Sequence, residues 1–81
     1  MLKSIDDKNI VIGLKQCKKA LGEGQIKTLY VALDADGKIT SPIVNEFKKE
    51  PESEIIEVET MLELGEACRI DVGASLVAVL K

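Results

Sequence analysis

Four groups of side chains in this sequence have the types and spacing to do chemistry. Lys15, Gln16 and Lys19 follow Gly13 within NIVIGLKQCKKALG at 9–22, setting positive charge and an amide beside a glycine. Asp34 and Asp36 precede Gly37, a carboxylate pair of the kind that holds Mg²⁺ or serves as nucleophile and general acid. Ile70 and Val72 alternate with Asp71 and Gly73 in a run of small and apolar residues that a flat partner could approach. Finally, Cys17 and Cys68 are the chain's two thiols, and there is no histidine to share a metal or act as a base.

The elements that must position these groups follow from periodicity. Ile10-Val11-Ile12 is short and wholly β-branched, which reads as a buried strand. From Leu14 the period becomes helical. Leu14, Cys17 and Leu21 fall on one side, Lys15, Gln16 and Lys19 on the other, and Lys18 on the flank. A glycine at a strand-to-helix junction permits close approach to the backbone, and the first helical turn has amide N–H groups without intrahelical partners. With the helix dipole these make an anion site, to which Lys15 and Lys19 add formal charge. Taken alone, lysines on a helix are simply solvated, and this one helix identifies no partner.

Along the rest of the chain, LKSIDDK at 2–8 carries only a weak pattern for a short opening helix. Gly22-Glu23-Gly24 supplies a helix stop, and the increasingly apolar run 26–33 reads as a central strand covered on both faces. Residues 34–37 form a loop, and Ser41-Pro42 predicts a helix start, with Ile43, Val44 and Phe47 inward and Glu46, Lys48 and Lys49 outward. Residues 50–53 break that helix, and a third strand covers 54–58. Thr60 and Glu63 match a capping box ahead of a helix whose Met61, Leu64 and Cys68 share a face. Gly65 inside it suggests close packing against the sheet. After a loop at 69–75, Leu76–Leu80 is a last buried strand. This alternation predicts one α/β domain over 1–81, a three-layer α/β/α sandwich around a four-stranded mixed, mostly parallel sheet.

Composition narrows the partners. No segment approaches the roughly 20 apolar residues that span a bilayer, and the charged start at 1–7 lacks the apolar core of an export signal. The expectation is a cytoplasmic protein with no membrane partner, whose two cysteines are buried free thiols. A net charge of −3 argues against indiscriminate phosphate binding. The charge is uneven, however: residues 1–38 sum to +2 and residues 39–81 to −5, so a polyanion would be met by a local face in the first half.

GLKQCKKAL at 13–21 and LGEACRIDVGAS at 64–75, in this order and spacing, resemble the L7Ae/L30e family of ribosomal and RNA-binding proteins. The likeness is greatest to the small bacterial members that bind kink-turn RNA, and it extends from about Lys8 to Leu80. It implies an L30e-like fold and a non-enzymatic, ribosome-associated monomer that needs no metal or cofactor. Its partner would be a structured RNA, a kink-turn in ribosomal RNA or an mRNA leader. On that resemblance Gly13, Leu14, Lys15 and Gln16 would meet the major groove at tandem sheared G·A pairs, with Lys19 one helical turn on. Ile70, Asp71, Val72, Gly73 and Ala74 would rest against an extruded nucleotide, and Asp36 would join the RNA-facing set. Side-chain chemistry agrees: lysine donates to guanine O6 and N7, and glutamine both donates and accepts.

The chain departs from the family at Arg69, where glycine is usual, at Gly37, where many members have proline, and at Met61, where some have lysine. One alternative keeps the fold but turns it to a protein partner, in line with the acidic second half. Another rests on LYVALDADGKIT at 29–40, which looks like the first motif of haloacid-dehalogenase-type phosphotransferases. Too little chain follows to supply that family's later lysine and acidic pair, and Asp34 and Asp36 also suit a turn and a helix start.

Overall fold

Residues 9–51 and 53–81 are described by a computed structural model, and the opening helix expected at 2–8 lies outside them. Chain order is β1 (Ile10–Ile12), α1 (Leu14–Gly22), β2 (Ile26–Ala32), α2 (Gly37–Phe47), β3 (Glu54–Val58), α3 (Met61–Ala67) and β4 (Leu76–Leu80). The sheet order is β1-β4-β2-β3. β1, β2 and β3 run in one direction and β4 opposes them, so direction alone would make the sheet mostly parallel. Because β4 lies between β1 and β2, the ladders correct that expectation: β1–β4 and β4–β2 are antiparallel, and only β2–β3 is parallel.

Period-2 alternation along the inner strands divides the core between two faces. Leu76 and Ala78 of β4 join Leu29 and Val31 of β2, with Cys17, Ala20, Ile43 and Phe47 packed on them from α1 and α2. Val77 points the other way, into a smaller cluster with Ala32, Val58, Leu64 and Ala74 beneath α3. The three expected layers are therefore present. Burying a Leu or Phe completely contributes about 1.5–3 kcal/mol, so Leu29, Phe47, Leu64 and Leu76 anchor both halves.

Two local expectations change. The second helix begins at Gly37 instead of Ser41: the Asp36 carboxylate accepts from Lys38 N at 2.9 Å and caps it, leaving Pro42 inside the helix. Thr40, Ile43 and Phe47, at i, i+3 and i+7, carry the buried face through that proline, which itself faces solvent. Gly65 packs against the loop that follows α3, not against the sheet. A Cβ there would collide with the Val72 carbonyl oxygen.

The thiols are free and lie on opposite faces of the sheet; Cys17 is buried in the cluster under α1, as expected, whereas Cys68 is only partly buried against the cluster beneath α3. Burial pushes the Cys17 thiol up to about 12 from 9.0. A thiol that holds its proton more tightly in the folded chain stabilises the fold fully below the unfolded value. That contribution is lost as pH rises from about 9 to about 12, at roughly 1.4 kcal/mol per unit. Urea denaturation across this range should show a steeper alkaline decline for the wild-type chain than for Cys17→Ala, and parallel declines would refute the linkage.

Candidate functional site

Because β4 opposes its neighbours, its first residue lies beside the last residues of β1 and β2. The Gly13 junction, the acidic turn at 34–36 and the end of the 69–75 loop therefore gather at one end of the sheet. Gly13 N donates to Leu76 O at 2.9 Å, joining the start of α1 to the start of β4. Ala32 N donates to Ser75 O at 3.0 Å, and Leu33 N to Val58 O at 2.7 Å, which brings in the ends of β2 and β3.

Gly13 serves as N-cap of α1 with φ 97° and ψ 161°, a region essentially reserved for glycine. It offers no side-chain cap, and the first turn holds no acidic residue, so the Leu14, Lys15 and Gln16 amides precede the first helical bond without side-chain competition. Lys15, Gln16, Lys18 and Lys19 are all exposed, as the helical period requires. Leu14, expected inward, is 37% exposed, because the first turn projects past the sheet end; Ala20 takes the buried role beside Cys17.

On the opposite face the 69–75 loop is fastened to α3. Arg69 N donates to Glu66 O and Ile70 N to Gly65 O, the paired bonds of a Schellman ending, with Arg69 in the left-handed region at φ 62°. A non-glycine residue there costs about 1–2 kcal/mol. The loop then runs back along the helix. Val72 O passes over Gly65, Gly73 abuts Met61, and Ala74 N donates to Met61 O at 2.9 Å.

Ile70 is half-buried against the α3 cluster, whereas Asp71, Val72 and Gly73 are exposed, Val72 at 67%. Ala74 departs from the expected surface set: its side chain is buried and its N–H is spent on Met61, so it anchors the loop instead of facing outward.

The acidic turn between these two sides works as a clamp. Asp36 caps α2, and Asp34 Oδ1 accepts from Met61 N at 2.7 Å, capping α3 from 27 residues away. Thr60 Oγ1 takes Glu63 N at 3.0 Å, the threonine half of the anticipated box. Both aspartates thus serve helix termini, and among the described residues no group of three metal-ligating side chains gathers. Leu33, expected within the covered run 26–33, and Met61, expected on the inward stripe of α3, are instead exposed at this sheet end with Val72, and so is Leu62, which sequence reasoning missed. The signal for Leu62 was its place outside the Met61–Leu64–Cys68 stripe.

This geometry coincides with a family assignment. The profile of the Ribosomal protein L7Ae/L30e/S12e/Gadd45 family matches residues 1–81, and the chain belongs to that family. Among individual proteins, it is similar to the RNA-binding protein YbxF of Geobacillus stearothermophilus, with 43% identity over 72 residues, 89% of this chain and 87% of that one. An RNA-binding protein of Bacillus pumilus (strain SAFR-032) is 42% identical over 72 residues, with the same coverage of both chains. The Giardia lamblia 15.5kD RNA binding protein shares the fold at TM-score 0.81 with 20% identity, over 91% of this chain and 62% of the other. No helix among the described residues is long and apolar enough to cross a membrane.

Gly65→Ala tests how the loop is held. Alanine gains about 1 kcal/mol in helix propensity, while overpacking against backbone costs about 1–3 kcal/mol. The clash involves the Val72 carbonyl, which cannot rotate away, so a net loss of stability is expected in urea titration. An unchanged or higher midpoint would show that the loop yields freely.

Proposed function

We propose that this chain is an RNA-binding module that recognises a kink-turn, with the exposed face of α1 reading tandem sheared G·A pairs and the loop at 70–73 bearing on the extruded nucleotide. The observation that carries the proposal is the junction of the two segments. Gly13 N to Leu76 O fixes the start of α1 beside the strand into which the loop runs, so a ridge and an apolar loop flank one end of the sheet. The names carried by the bacterial relatives support RNA as the ligand class.

Each part has a physical role. The α1 amides and dipole receive a phosphate, Lys15 donates to guanine, and Gln16 donates and accepts at the irregular pair. Lys19, a turn further on, attracts the backbone. Asp71 and Gly73 offer exposed backbone groups, and Val72 offers an apolar contact. Asp36 acts here through its cap, which sets the acidic turn. Recognition is of a bent shape and an irregular pair, not of a long sequence, which suits a chain of net negative charge with a local cationic face. The protein acts as a monomer in the cytoplasm, on or beside the ribosome, and performs no catalysis.

Titration against a kink-turn RNA, with a control whose G·A pairs are replaced by Watson–Crick pairs, tests this directly. The kink-turn should bind tightly and the control weakly; equal weak binding to both would overturn the proposal and favour a protein partner. Lys15→Ala and Gln16→Ala should each cost about 1–3 kcal/mol and relax the demand for G·A pairs. Lys19→Glu should weaken binding more at low salt than at high salt, because its contribution is largely Coulombic.

A further inference from the structure

Arg69 is the chain's one arginine beside ten lysines. It also holds the one non-glycine positive φ among the described residues. α1 ends in the same paired-bond geometry, with Gly24 N to Leu21 O and Gln25 N to Ala20 O, and there the left-handed position at φ 65° is a glycine. The fold thus uses the relaxed residue at one helix end and a strained one at the other.

Packing does not explain the difference. Arg69 is exposed, and its neighbours Glu66 and Asp71 make no ion pair with it; the single ion pair among the described residues joins Lys49 to Glu46. A cation near a helix C-terminus does gain from the dipole, but a basic residue in the last turn of α3 would gain it without strain, and that turn has none. An unpaired guanidinium held at a conformational cost beside an exposed loop calls for a ligand.

Its position indicates which one. The loop at 70–74 runs antiparallel to α3, so Arg69 stands at its outer tip, roughly 10 Å beyond Met61 along the helix axis. We propose that Arg69 binds a backbone phosphate of an RNA stem that rests on Val72 and continues over that tip, a contact that rests on the RNA-binding reading above and extends the footprint beyond the groove. The planar guanidinium grips two phosphate oxygens at once, which a lysine ammonium does not.

The test combines folding and binding in the full chain. Arg69→Gly should raise the urea midpoint by relaxing the backbone. It should also lower kink-turn affinity about ten-fold at low salt, and reduce the slope of log K against log salt by about 1. Preference for the kink-turn over the Watson–Crick control should persist, since phosphate contacts carry no sequence information. Arg69→Lys should keep the wild-type midpoint and salt slope and recover part of the affinity. If the wild-type chain discriminates between the two RNAs while Arg69→Gly is more stable with unaltered affinity and slope, the Arg69 contact is refuted and the groove reading stands. If the wild-type chain does not discriminate, both fall.

Discussion

The reversed strand β4, inserted between β1 and β2, is the constraint from which the rest follows. It is buried along almost its whole length and supplies side chains to both core clusters. Its direction brings the loop that precedes it to the sheet end where β1 gives way to α1. Were β4 parallel to its neighbours, that loop would emerge at the opposite end, and the lysine and glutamine ridge would stand alone.

Helix termini do the remaining positioning. Asp36 caps α2, and Asp34, two residues earlier, reaches across to α3, so a single tight turn fixes the start of two helices on opposite faces of the sheet. Gly65 lets the returning loop lie directly on α3, and Gly13 permits a sharp change of direction with its own N–H bonded to β4. Short elements of seven to eleven residues would be marginal in isolation; here their ends are tied to one another. The edge strand β3 exposes Glu54 and Glu57, charges that discourage strand addition by another chain.

Much of this was legible in the residues. The strand and helix around Gly13, the two buried inner strands and the capping threonine all follow from period and local chemistry, and the family resemblance rested on the same stretches. The start of α2 was misjudged because Ser41-Pro42 imitates a cap, while the true cap, Asp36, sits in a turn that also resembles a catalytic motif. Strand order was out of reach: a buried apolar run such as 76–80 carries no mark of which neighbours it pairs with or in which sense. The Gly65 contact was misplaced for the same reason, since sequence shows that a glycine admits a close neighbour but not which one. Arg69 was visible as an oddity, and only its backbone angle turned it into a physical question.

The place of β4 also bears on how the domain can be assembled. During synthesis the strands emerge in numerical order, yet the one needed in the middle of the sheet comes last. Until it arrives, β1 and β2 have no common partner, and the first helix is not tied to the later loop. The parallel β2–β3 pair can form earlier, around a local helix. Closing the sheet then requires β4 to slot between strands made well before it, a long-range step that is slow relative to local helix formation. A ribosome-bound chain still lacking β4 would therefore expose the ridge with no strand to hold it beside the loop on α3, so the interface is available only as a property of the finished sheet.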